Sequence, residues 1–370
     1  MRRLLVACLV ALVAGVVVSL AAGGSSGGHS GRWVVWDLGT LGGPESVPAD
    51  INERLQVVGS SDTARKVDRY QYESDAFLWG DWRMRSMGAG TSAAVAINER
   101  GQIAGSHRHA FLWQDGQMRD LGTLGGKSSE AVAINERGQV AGRAYTERKD
   151  SGGYALEHAF LWTGGRMVDL TARSDDPSWA VTLNDRGQVL VKSLDQDGLW
   201  ENGRFVPLEG KFGAVVDLNE RGQVLLTDMI WQQGRARRLG RILPQRRCEG
   251  SDINDRGVVV GACGDAEIRA HPVIWKGRKP NEIEIAFGDR GWAVAVNETG
   301  QVVGHSTRLS SPLGWQTRHA FVWENSRTTD LSTLGGRESD VVAITNHGQI
   351  IGWAETKTGD RHAVIWTKRG

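Results

Sequence analysis

The string INERGQVAG at 134–142 sets a polar Asn-x-x-Gly turn between two short apolar runs, and variants of it recur along the whole chain. Copies begin at Asn52, Asn98, Asn135, Asn184, Asn219, Asn254 and Asn297, and in an eighth, ITNHGQIIG, Thr345 stands where the others have Asn. The steps of 35 to 49 residues lie in the range of solenoids and propellers, whose units cannot bury their apolar faces alone and must stack. Length alone suggests two or more domains, but a repeat through nearly all of the chain argues for one, over 32–370.

Each period holds four stretches of strand character, named a to d. In the second unit they are 92–98 (SAAVAIN), 101–106 (GQIAGS), 109–113 (HAFLW) and 117–122 (QMRDLG). The Asn turn joins a to b: its side chain bonds backbone two residues on, and Gly supplies the left-handed conformation that closes the hairpin. A short glycine-containing connection joins c to d and predicts a second hairpin. The strands alternate poorly and are mostly apolar, as in Phe111-Leu112-Trp113 and Val302-Val303, so both faces of each sheet must be covered. Small four-stranded sheets stacked face to face satisfy this, and the fold class predicted is all-β, a β-propeller.

A Trp ends strand c in every unit: Trp79, Trp113, Trp162, Trp200, Trp231, Trp275, Trp323 and Trp366. One per unit at one position implies packing between blades rather than a ligand platform. Closure is also legible. The last unit shows a, b and c but no d, while WVVWDLG at 33–39, ahead of the first a strand, matches d. A ring closed by that strand leaves no open edge, and eight units predict eight blades. Seven is the alternative, because units four and five are short and degenerate.

The formal charge of +1 and pI near 7.8 provide no basic footprint of the kind nucleic-acid binding requires, so DNA and RNA are not expected partners. Residues 1–22 have an Arg2-Arg3 start, an apolar run and a small-residue end, the pattern of an export signal. An uncleaved anchor is the alternative, since 4–22 is nearly long enough to span a bilayer, and membrane contact is expected only through it. A flexible Gly/Ser linker follows at 23–31. The protein is thus expected to be exported, secreted or attached to the cell envelope, and monomeric.

His109, His158, His271, His319 and His362 open strand c in five units. Around a ring they are too far apart to share a metal, so each is expected to bond backbone or the Asp of a neighbouring d strand, such as Asp120, Asp169 or Asp330. The acidic turn residues Glu99, Glu136, Asp185, Glu220, Asp255 and Glu298 offer too few oxygens for calcium and are read as solvated. Cys248 and Cys263 flank the Asn254 hairpin. A two-residue loop sets them face to face for a disulfide, and a three-residue loop turns them to opposite faces. No catalytic motif, metal site or cofactor site stands out.

The triplets His109-Ala110-Phe111, His158-Ala159-Phe160 and His319-Ala320-Phe321 stand beside DLGTLGG at 37–43 and 120–126 and DLSTLGG at 330–336. Over about 33–366 the chain resembles the HAF-repeat family of bacterial secreted repeat proteins. Units four, five and six lack the triplet. The resemblance implies an exported repeat protein with no assigned chemistry.

In a four-stranded blade the a–b and c–d turns lie on one face of the ring and the b–c and d–a loops on the other. The long loops, 60–74, 143–157, 263–270, 306–318 and 355–361, all belong to the second face, where function tends to sit. Their arginines and aromatics, Arg69, Tyr70, Tyr72, Tyr145, Arg148, Tyr154, Trp315 and Arg318, are types enriched at binding hot spots. The leading expectation is a non-catalytic module binding a protein or glycan on that face. The alternatives are an enzyme acting on polysaccharide through an axial site and a purely structural envelope module.

Overall fold

The repeated turn closes as a three-residue hairpin loop. In the third unit Asn135 N donates to Gln139 O at 3.1 Å and Gly138 N to Asn135 O at 2.9 Å, with Gly138 at φ 72°. A left-handed third residue defines this loop and explains the glycine. A computed structural model describes residues 32–369 except 89, 151, 209–212, 244–245, 265–269 and 310–315. The expected signal and linker, and Trp315, lie outside the described residues.

Thirty-two strands, β1 to β32 in chain order, form eight four-stranded antiparallel sheets, and the described residues contain no helix. Blade 3 shows the plan: β10 (Gly125–Ile134), β11 (Val140–Lys149), β12 (Ala155–Thr163) and β13 (Arg166–Asp169) lie side by side as a, b, c and d. Each a strand touches the a strands of both neighbouring blades, so a lines the axis and d the rim. Units four and five, despite their degeneracy, each build four strands, and the ring has eight blades.

Closure follows the expected route. Strand β1 (Trp33–Asp37) pairs with β32 (Arg361–Lys368), Val35 opposite Trp366, and completes the sheet of β30 (Gly335–Ile344) and β31 (Ile350–Thr356) as blade 8. At this seam Trp82 of blade 1 lies edge-on to Trp36 of β1 and to Trp79, with centroids 5.1 and 5.7 Å away.

Among the described residues the apolar core divides into eight clusters, each between consecutive blades. An open row of eight blades would have seven such interfaces; the eighth, with Ile365 of blade 8 against Ile51, Val57 and Trp79 of blade 1, closes the ring. The strand-c Trp of each blade joins the cluster shared with the preceding blade, fully buried at Trp275 and Trp366 and partly exposed at Trp113, Trp200 and Trp323. Burying one such side chain contributes on the order of 2–3 kcal/mol.

A polar belt runs above this core. Asn135 Nδ2 donates to the Asn184 carbonyl of the next blade at 3.0 Å, while its Oδ1 accepts from Arg137 N and Gln139 N, both at 3.0 Å. The same bond links Asn52 to Asn98 and so on to Asn297, which reaches Thr345 O at 2.9 Å. A second circuit corrects the reading of the acidic turn residues as merely solvated. Glu99 accepts from Glu53 N, Glu136 from Glu99 N, Asp185 from Glu136 N, and the chain of bonds returns through Asn346 N to Glu53 at 2.7 Å. Proximity of consecutive turns, invisible in one unit, makes each carboxylate a partner for its neighbour's orphan N–H.

The cysteines settle on a combination of both registers. The Asn254 loop is three-residue, with Ile253 opposite Val259, which alone would set Cys248 and Cys263 on opposite faces. A bulge between Gly250 and Asp252 takes up one residue, returns Cys248 opposite Cys263, and lets them form a disulfide. The other inner hairpins carry the corresponding bulge.

Candidate functional site

The HAF triplet reads as two hydrogen bonds and one buried ring. In blade 2 His109 Nδ1 donates to Asp120 Oδ2 at 2.9 Å, Ala110 N donates to Ser129 Oγ of the next blade at 2.9 Å, and Phe111 is buried. The pattern repeats at His158–Asp169 and His319–Asp330, and at His362–Asp37 across the seam, while His271 pairs with Glu282. The histidines therefore lock c to d, as the spacing predicts. A hydrogen bond to Asp37 raises the His362 pKa above its ordinary value against the effect of burial.

The aspartate of each lock also starts the loop that follows. Asp120 Oδ1 accepts from Gly122 N at 2.7 Å, Thr123 Oγ1 donates to Gly126 O at 3.0 Å, and Leu124 bridges Thr146 of blade 3. The equivalent segments at Thr40 and Thr333 make the same threonine bond. These DLGTLGG loops begin the long a strands of blades 1, 3 and 8 and lie on the long-loop face.

On that face the b and c strands of blades 1, 3 and 7 pair far out along their hairpins, Lys66 with Tyr72, Lys149 with Ala155, and Leu309 with Gln316. Blades 1 and 3 turn by one device. Asp68 Oδ1 accepts from Tyr70 N at 2.7 Å and Gln71 N at 2.8 Å; Asp150 Oδ1 accepts from Gly152 N at 2.9 Å and Tyr154 N at 2.8 Å. Each turn holds a tyrosine outward, Tyr70 at 85% and Tyr154 at 75% exposure. The Arg69 guanidinium stands 5.4 Å from the Tyr70 ring centroid and Lys66 Nζ 5.1 Å from that of Tyr72.

The other expected residues are engaged within the fold. Arg148 donates to Ala172 O at 3.0 Å and Ser174 O at 2.9 Å and pairs with Asp175, clamping the connection between blades 3 and 4. Arg318 Nη1 meets Asp340 at 2.5 Å, and His305 lies 3.1 Å from the same carboxylate. Burial pushes the Asp340 carboxyl up, but His305 and Arg318 outweigh it and hold the group below its ordinary value. A hydrogen bond to Glu157 raises the Tyr145 phenol. Arg69, Tyr70, Tyr72 and Tyr154 thus remain at the tips of two hairpins, on blades 1 and 3, separated by blade 2 with its short b–c loop.

Sequence reasoning missed three carboxylates on inner strands. Asp50, Asp217 and Asp252 each stand two residues before the turn Asn and accept from the next blade, Ile97 N at 2.8 Å, Ile253 N at 3.2 Å and Val296 N at 2.7 Å. Desolvation raises Asp50 to about 6 and raises both Asp217 and Asp252, the latter further through the neighbouring Asp217 carboxylate. The signal available was Asp at a strand position where the other units have Ala or, in unit four, Thr182. Their bonds make them ties between blades, and among the described residues no group of three or more His, Cys, Asp or Glu is placed to hold a metal.

The fold defines the class: an eight-bladed β-propeller closed by its N-terminal strand. No protein-family model and no curated protein matches the sequence. Among solved structures, the β-propeller domain of the Trilobed protease from Pyrococcus furiosus aligns at 12% identity and TM-score 0.47 over 88% of this chain and 94% of that one. Pyrococcus horikoshii acylaminoacyl peptidase aligns at 14% identity and TM-score 0.48 over 79% of this chain, which spans 53% of the peptidase. Trypanosoma rangeli sialidase aligns at 12% identity and TM-score 0.33, over 87% of this chain and 53% of that one. Propellers carry binding modules and enzymes alike, so function is argued from the site.

Proposed function

We propose that the protein is an exported, non-catalytic binding module that takes a protein or glycan ligand on the long-loop face, through the projecting hairpins of blades 1 and 3. The observation that carries this reading is the pair of tyrosines, Tyr70 and Tyr154, held at 85% and 75% exposure on turns that Asp68 and Asp150 fix from within. Leaving a large ring in water has no folding benefit, and a rigid turn lowers the entropy lost when a ligand docks. Tyrosine supplies contact area with few rotatable bonds and a hydroxyl for polar partners. Export rests on the 1–22 pattern and the resemblance to HAF-repeat proteins.

The test is a glycan and protein binding screen with the full chain, repeated with Tyr70→Ala, Tyr72→Ala, Tyr154→Ala and Trp315→Ala. A ligand bound by the wild type should lose at least tenfold in affinity with Tyr70→Ala or Tyr154→Ala, about 1.4 kcal/mol, without loss of thermal stability. Unchanged affinity in all four variants refutes the assignment.

A further inference from the structure

Six arginines, Arg235, Arg237, Arg238, Arg241, Arg246 and Arg247, fall within 232–247, a stretch without an acidic residue in a chain of net charge +1. The first three lie on β21 (Arg235–Arg238), the outer strand of blade 5. Register sorts their side chains. Gln232 stands opposite Arg235 and Ile230 opposite Arg237, and Ile230 packs with Leu225 in the core shared with blade 6. Arg235 and Arg237 therefore face blade 6, whereas Arg238 turns to the other side and meets Asp228 at 3.3 Å.

Between the blades these two arginines line an open cleft of about 500 Å³ with Gln223, Ile230, Gln232 and Gln233. Gln223 follows the a–b turn and Gln233 sits in the c–d turn, so the cleft opens on the short-turn face, opposite the tyrosine hairpins. No acidic side chain lines it. In blade 2 the equivalent Arg119 lies over the Trp162 ring at 4.9 Å; in blade 6 the corresponding Trp275 is fully buried and bonded to Gly240 O. Among the described residues, Arg235 and Arg237 have no ion pair or ring partner. Like charges two residues apart on one face of a strand repel, and a bound anion offsets that repulsion.

We propose that this cleft binds an acidic polysaccharide. Guanidiniums meet planar carboxylate or sulfate groups in bidentate fashion, and the amides of Gln232 and Gln233 supply both donors and acceptors for ring hydroxyls. No aromatic side chain lines the cleft to stack on bases, which separates it from a single-strand nucleic-acid site. Its one apolar residue, Ile230, is buried and has nothing to insert into a lipid surface. Whole-chain charge hid the site, because the arginines concentrate where the repeat is most degenerate.

Binding of the full chain to polygalacturonate, dextran sulfate and neutral dextran, at several salt concentrations, tests the proposal against R235Q/R237Q. The expected result is binding to at least one charged polymer and not to dextran, weakened at least tenfold in the double variant with a melting temperature no lower than that of the wild type. The slope of log Kd against log salt should fall by about one per arginine removed. Preference for polygalacturonate assigns the carboxylate, and preference for dextran sulfate assigns the sulfate. Equal binding by wild type and R235Q/R237Q overturns the proposal, as does equal binding of dextran, absence of binding to both charged polymers, or binding confined to an oligothymidylate or to phosphatidylglycerol vesicles.

Discussion

Asn135 makes four side-chain hydrogen bonds while almost wholly buried, two within its own turn through Oδ1, one to Gln139 and one to the next blade. Replacing it with Ala leaves buried N–H and C=O groups without partners, each costing about 1–3 kcal/mol. Asn135→Ala should therefore destabilise by roughly 2–4 kcal/mol in denaturant unfolding. Thr345 is the natural exception. It has no amide to send across the seam, and its hydroxyl bonds Gln349 instead. Thr345→Asn supplies the missing donor to Asn52 and should raise stability by about 1 kcal/mol, seen as an upward shift of the denaturant midpoint; no gain would mean the seam differs from the other interfaces. The Asn was legible in the sequence as a turn former, but its second bond was not, because the partner lies 35 to 49 residues away.

At the level of elements, hairpin register was the point that sequence left open. Loop length and glycine placement allowed a two-residue or a three-residue turn; the structure shows the three-residue one, and the bulge at 250–252 belongs to the pairing of inner strands beside the axis, where neighbouring a strands meet. That bulge brings the cysteines together. The disulfide ties the two inner strands of blade 6 across a 15-residue separation, worth about 3 kcal/mol in chain-entropy terms. Cys248→Ser with Cys263→Ser should lower stability by about 2–3 kcal/mol, and thiol reduction should do the same to the wild type but not to the double variant. Equal stability with and without reductant would show that the bridge adds nothing to blade 6. The His–Asp locks were readable from spacing, since both partners sit in one hairpin.

Across the whole molecule the buried carboxylates and the His362 lock set the pH dependence. Asp50 is raised to about 6 by burial, Asp217, Asp252 and His362 are also raised, and each of these groups therefore prefers its proton in the folded state. Their stabilising protonation is complete below the unfolded values and is lost as pH rises through the folded ones. Asp120 is lowered despite burial by the Gly122 N–H and His109, Glu324 by Lys368 and Gln301, and Asp340 by His305 and Arg318, and their contribution is lost only as pH falls below the ordinary carboxylate range. Stability should thus rise from pH 8 to about pH 5 and fall below about pH 4, as thermal melts across that range would show. Asp50→Asn should flatten the upper limb; a wild type most stable at pH 8 would contradict the assignment. The sequence by itself determined the four-strand unit, the ring closure, the inter-blade Trp and the His–Asp lock, because each rests on residues near in sequence or repeated at one position. Only the tertiary structure decided the bulge that joins Cys248 to Cys263, the belt of Asn and acidic turn residues, and which of the expected site residues stand free. It also decided which side of blade 5 Arg235 and Arg237 occupy. Those depend on which blade lies beside which, a relation created when the ring closes.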